Sequence, residues 1–169
     1  NEPALAGRMD YLGINYYTRV LVEGTASATL PQLSPLTTFN PLALDLTNEY
    51  PDGLYEMVMI ARDYGLPVYI TENGTANVAD PEAAPRYLTR HLAALQRAIT
   101  DGARVQGYFF WTLVDNYEWN HGLGLRFGLY ELVADAKKTR RARPAAAIFS
   151  QVAASGLLPA ALLDKYGAR

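Results

Sequence analysis

Carboxylates, amides and indoles gather after three separate apolar runs, and that grouping is where chemistry is first looked for. Asn15, Tyr16 and Tyr17 follow the first run, and Glu72 and Asn73 follow the second. Trp111, Asp115, Asn116, Glu118, Trp119 and His121 follow the third. Carboxylates and amides bond hydroxyl groups, often two at a time, and aromatic rings cover the apolar C–H face of a pyranose. The set is therefore one that binds a sugar. The same residues have plainer readings. A Glu at a buried strand end can be an ion-pair partner, and Trp is commonly packed in a core. Tyr16 is read as core. His91 lies among the leucines of a helix and is read as structural, and His121 is read as a loop residue at a pocket rim. Neither histidine has partners at zinc spacing. Gly122 and Gly124 lack the strand–turn–helix setting of a nucleotide fingerprint.

The elements that must position these residues can be read from pattern and punctuation. Tyr11 to Tyr17 reads as a buried strand interrupted by Gly13, and Thr18 to Tyr50, with Pro31, Pro35 and Pro41, as mostly a long loop. Pro51-Asp52-Gly53 opens a helix whose apolar face is Leu54, Met57, Val58 and Ala61, with Gly65 as its C-cap. Val68 to Thr71 is a second strand, broken by Asn73-Gly74. Asp80-Pro81-Glu82 starts a helix with Leu88, Leu92, Leu95 and Ile99 on its stripe, and Gly102 stops it. Gln106 to Trp111 is the third strand, and Pro144 to Gly156 bounds the last helix. The run Lys137, Lys138, Arg140, Arg141 and Arg143 reads as a solvated turn before that helix. All three strands look buried on both faces, as in parallel βα units, and the fold class is α/β: a partial (β/α)₈ TIM barrel. In such barrels the site lies at the C-terminal strand ends, where the polar groups above collect.

Composition narrows the functions. The 169 residues are 50% hydrophobic and 19% charged, the proportions of a packed globular chain. A net charge of −2 gives no reason to expect nucleic acid or an anionic membrane as partner. No run approaches the roughly 18 apolar residues of a membrane span. The absence of cysteine excludes disulfides and thiolate metal sites, and agrees with a reducing, cytoplasmic compartment.

Three motifs in order carry a family resemblance. Tyr11-Leu12-Gly13-Ile14-Asn15-Tyr16-Tyr17, Thr71-Glu72-Asn73-Gly74, and Trp111 to Trp119 with Arg126-Phe127-Gly128-Leu129 resemble the sixth-strand, nucleophile and eighth-strand sugar-binding motifs of glycoside hydrolase family 1. Pro51-Asp52-Gly53-Leu54-Tyr55 is similar to the start of a family helix. The resemblance runs from about Asp10 to Gly156, and it implies that residues 1–169 form the C-terminal portion of a family barrel, strands six to eight, incomplete by themselves. It implies retaining hydrolysis of β-glycosides through two carboxylates roughly 5 Å apart, with no cofactor and no metal. Glu72 would be the nucleophile and Tyr17 would hold its carboxylate; Asn15 would touch the sugar or the acid near the scissile bond. Glu118 would grip two sugar hydroxyls, Trp111 would form the floor, Trp119 would contact hydroxyls and Phe127 would close the wall. Relatives acting on 6-phosphosugars carry a small residue at the Glu118 position, where a carboxylate would repel phosphate, so an unphosphorylated β-glucoside or β-galactoside is expected.

The departures matter equally. The family's acid/base lies in an Asn-Glu-Pro motif after the fourth strand. Asn1-Glu2-Pro3 matches the tripeptide but stands a few residues before the sixth-strand motif, so Glu2 is not assigned as the acid. The glycone glutamine and histidine of the earlier strands have no counterpart, and Thr47 stands where the family usually has tryptophan. The partners implied are a β-linked sugar and the missing N-terminal barrel portion, from the same parent chain or a complementing one. The alternative is a non-catalytic fragment that keeps a residual carbohydrate-binding surface.

Overall fold

The computed structural model describes residue 4 and residues 7–20, 49–76 and 80–167. Asn1-Glu2-Pro3, Thr47 and most of the long loop with its prolines lie outside the described residues. The chain runs β1 (Leu12–Asn15), α1 (Pro51–Arg62), β2 (Val68–Asn73), α2 (Ala83–Thr100) and β3 (Val105–Phe110). A 3-10 turn (Trp119–His121), β4 (Tyr130–Leu132), β5 (Arg140–Ala142), α3 (Pro144–Ser155) and α4 (Ala160–Tyr166) follow.

β1, β2 and β3 form a sheet in that order, parallel throughout. Parallel neighbours need a crossover, and α1 and α2 supply it. The register sets Leu12 beside Val68 and Asn15 beside Glu72, so the two strand ends carrying polar groups finish level. No closed barrel exists among the described residues, and β1 and β3 are the open edges of the sheet.

Period-2 alternation sends Val68 and Ile70 under the helices, where both are fully buried against Leu54, Val58, Leu95 and Ala98. The other face is uncovered. Gly13, Asn15, Thr71 and Phe109 are exposed, which corrects the expectation of strands buried on both sides. The cause is geometric: the inner face of a barrel is covered by strands from across the barrel, and three adjacent strands have none.

The helix stripes are narrower than their spacing suggests. Leu54, Val58 and Ala61 are buried on α1 but Met57 is not, and on α2 Leu88 and Leu95 are buried while Ile99 lies open near the end. α1 ends at Arg62, and Gly65 (φ +71°) closes the turn after it. Asp80 caps the turn before α2 rather than the helix itself, its Oδ1 accepting from the Glu82 N–H at 2.9 Å. Gly156 caps α3 in the left-handed conformation, as expected.

The basic run is not simply a solvated turn. Arg140 and Arg141 belong to β5, which pairs antiparallel with β4, and Arg143 is largely buried against Asp115. The C-terminal tail is also held: Tyr166 on α4 is buried, and its hydroxyl donates to Glu82 at 2.5 Å. Among the described residues, no helix is long and apolar enough to cross a membrane.

Candidate active site

The three strand ends of the sheet bring Asn15, Tyr17, Glu72 and Trp111 to one edge of the molecule, because parallel strands end on the same side. Glu72 is half-buried at the end of β2. The Tyr17 hydroxyl donates to Glu72 Oε2 at 2.5 Å, the short distance of an O–H bonded to a carboxylate. Burial, the bond to Glu72 and the charges of Glu72 and Glu118 all push the Tyr17 phenol up from its ordinary pKa, so it remains a donor. Phe127 is buried and meets the Tyr17 ring edge-on, with ring centres 6.4 Å apart.

Asn15 is exposed, and its Oδ1 accepts from the Thr71 hydroxyl at 2.7 Å, which leaves the amide nitrogen facing outward as a donor. Trp111 Nε1 donates to Glu118 Oε1 at 3.0 Å, fixing the second carboxylate against the indole. Glu118 also starts the tight turn that holds it, its N–H bonding Gly122 O at 2.7 Å. Trp119 is 83% exposed, at φ 44°.

A glycine holds the second and third strand ends together. Trp111 N donates to Asn73 O at 3.0 Å, and a Cβ on Gly74 would lie 2.0 Å from the Trp111 carbonyl oxygen. Only glycine permits that approach.

Two polar residues grouped with the sugar-binding set turn out to be internal. Asp115 takes both guanidinium nitrogens of Arg143 at 2.7 Å and the Gly128 N–H at 2.9 Å. Burial raises its pKa, but the Arg143 and Gly128 bonds outweigh this and hold the carboxyl below its ordinary range. Asn73 is fully buried, its side chain bonded to Tyr16, Tyr87 and Tyr108. Tyr87 and Tyr108 were not singled out from sequence, since a tyrosine on an amphipathic helix or a buried strand reads as core. Tyr16 and His91 are core, as read. Among the described residues no group of three or more His, Asp or Glu side chains is placed to hold a metal ion.

A family model, Glycosyl hydrolase family 1, matches residues 1–156. A β-galactosidase of Sulfolobus acidocaldarius is 38% identical over 165 residues, covering 92% of this chain and 33% of that protein. A β-galactosidase of Pyrococcus woesei is 36% identical over 174 residues, with the same coverage of 92% and 33%. In solved structures, a β-glycosidase from Pyrococcus horikoshii superposes with a TM-score of 0.78 at 35% identity, over 95% of this chain and 38% of that one. A family 1 β-glucosidase from Thermotoga maritima gives 0.73 at 28% identity, over 89% and 36%. The chain thus spans about a third of the length of the relatives it matches.

Proposed function

Since the chain belongs to glycosyl hydrolase family 1, we propose that it carries the nucleophile side of a retaining β-glycosidase site, with Glu72 as nucleophile. The observation that carries this reading is the Tyr17–Glu72 bond of 2.5 Å at adjoining strand ends. One Glu72 oxygen accepts from Tyr17 and the other is left for the anomeric carbon. In the first step that oxygen bonds the anomeric carbon as the glycosidic C–O bond breaks, and the leaving oxygen takes up a proton. In the second, water cleaves the glycosyl ester and regenerates the carboxylate. The proton on the leaving oxygen comes from a general acid, which recovers one from the attacking water in the second step, so both steps balance and no cofactor is invoked.

The remaining residues bind. Glu118, oriented by Trp111, accepts from two hydroxyls of an unphosphorylated sugar, and its negative charge disfavours a 6-phosphate. Asn15 donates near the scissile bond, Phe127 backs the wall and Trp119 contacts hydroxyls. Relatives are named for both β-galactosides and β-glucosides, and the glycone is proposed to be one of these. The general acid is proposed to come from the remainder of a barrel, in the same parent chain or a complementing one. Residues 1–169 then act as a C-terminal unit, and a cytoplasmic location suits their lack of cysteine.

A second reading is favoured by the exposure of Trp119 and of the uncovered sheet face: a sugar-binding surface without turnover. The two separate on an aryl β-glucoside with an activated leaving group, which barely needs a general acid. Turnover by the chain that disappears in Glu72→Gln supports the glycosidase. Absence of turnover in both, with saturable sugar binding, supports the surface alone.

A further inference from the structure

A buried primary amide must satisfy two N–H groups and one oxygen. Asn73, directly after Glu72 and fully buried, does so with groups from α2, β3 and the segment just after β1. Its Nδ2 donates to Tyr16 O at 2.7 Å and to the Tyr87 hydroxyl at 2.9 Å, and its Oδ1 accepts from the Tyr108 hydroxyl at 2.7 Å. The Tyr87 hydroxyl, having accepted that proton, spends its own on Tyr17 O at 2.6 Å. The direction of every bond is forced. Tyr16 O and Tyr17 O are carbonyls that only accept, so a flipped amide would set two acceptors face to face. Tyr87 cannot swing away, because its ring is 2% exposed and stacks on His91 at 3.7 Å.

The hydroxyl of Tyr17 sits on Glu72, and the backbone of Tyr17 sits on Tyr87. The residue that orients the carboxylate is thus anchored by a helix residue that never reaches the site. We propose that Tyr87, held by Asn73, is a positioning residue that sets Tyr17 against Glu72; as a contribution to catalysis this rests on the reading of Glu72 as nucleophile. β1 ends at Asn15, its pairing with β2 reaches one residue further through the Tyr16 N–H on Glu72 O at 2.9 Å, and at Tyr17 the Tyr87 bond takes over.

The test labels the chain with 3-fluorotyrosine and follows the Tyr17 ¹⁹F signal, identified by its loss in Tyr17→Phe. Glu72→Gln marks where that signal lies when the carboxylate is gone. In Tyr87→Phe the Tyr17 signal is expected to move toward that position with the fold intact. Where the aryl glucoside is turned over, kcat should fall roughly tenfold with KM nearly unchanged. Added to Tyr17→Phe, the same substitution should cost nothing further, which a merely structural loss would not give. A Tyr17 signal unmoved in folded Tyr87→Phe overturns the proposal. If that variant does not fold, Tyr108→Phe, which frees the other side of Asn73, must move the same signal or the proposal falls. Saturable sugar binding without turnover counts against the nucleophile reading, and the ¹⁹F shift still decides whether Tyr87 places Tyr17.

Discussion

His91 lies one turn after Tyr87 on α2 and shows how much a single buried group can decide. It is fully buried, its Nδ1 bonds Tyr87 O at 2.8 Å, and its Nε2 has no hydrogen-bond partner among the described residues. A carbonyl only accepts, so a proton sits on Nδ1, and burial favours the neutral ring. Burial, helped by the charge of Arg90 and opposed by the Tyr87 carbonyl, lowers its pKa from 6.5 to about 4. Between those values the unfolded chain binds a proton that the folded chain refuses. The neutral ring therefore contributes stability that is complete above pH 6.5 and is lost as pH falls toward 4, about 3 kcal/mol in all. His91→Phe keeps a flat ring on Tyr87 and removes the titration. Urea unfolding from pH 7 to 4.5 should show the parent losing stability faster than His91→Phe; parallel curves would mean that His91 is not the group responsible.

Among the elements, the loop after β3 is joined to the start of α3 by one largely buried ion pair. Arg143, the residue before α3, bonds both oxygens of Asp115 and the carbonyl of Gly128, tying loop, hairpin and helix at one point. Both side chains are largely buried, 14% and 10% exposed. Removing one partner of such a pair leaves a buried charge unpaired, which costs far more than the pair itself gains. Arg143→Met should lower stability by about 3 kcal/mol, and adding Asp115→Asn, which still accepts from Gly128, should recover part of it. Equal losses in the single and double variants would disprove the coupling. Because the Asp115 carboxyl is held low, its contribution is complete above the ordinary carboxylate range and is lost only as pH falls through its lower folded value. Arg143 was taken from sequence as part of a solvated basic run, and the reason is general. A pairing across 28 positions leaves no local pattern, and β5 is exposed at all three residues, so no alternation marks it. What was legible is what local pattern encodes: the apolar runs of three strands, the proline starts of α1 and α3, the left-handed Gly156, and the polar residues at strand ends. The Asn73 hub was not, because burial and bonding of an amide depend on neighbours 14 to 57 residues away.

For the molecule as a whole, an apolar strand reads the same in a closed barrel as in an open sheet, yet the consequences differ. Among the described residues β1 and β3 each present an unpaired edge, and the uncovered face exposes Phe109 at 57%. Tyr117 at 72% and Trp119 at 83% add further exposed aromatic surface. Unpaired parallel edges with exposed aromatics template association with other chains. The chain alone is therefore expected to self-associate at micromolar concentration, with sedimentation velocity showing species heavier than 18.6 kDa that increase with loading. A single 18.6 kDa boundary with cooperative unfolding would show that the open edges are protected within the chain itself. Co-expression with the N-terminal two-thirds of a family relative separates the causes of association. If the edges are what associate, closing the barrel removes the large species and yields a complex of defined mass. If instead the aromatic loop around Tyr117 and Trp119 is responsible, association persists in the complex.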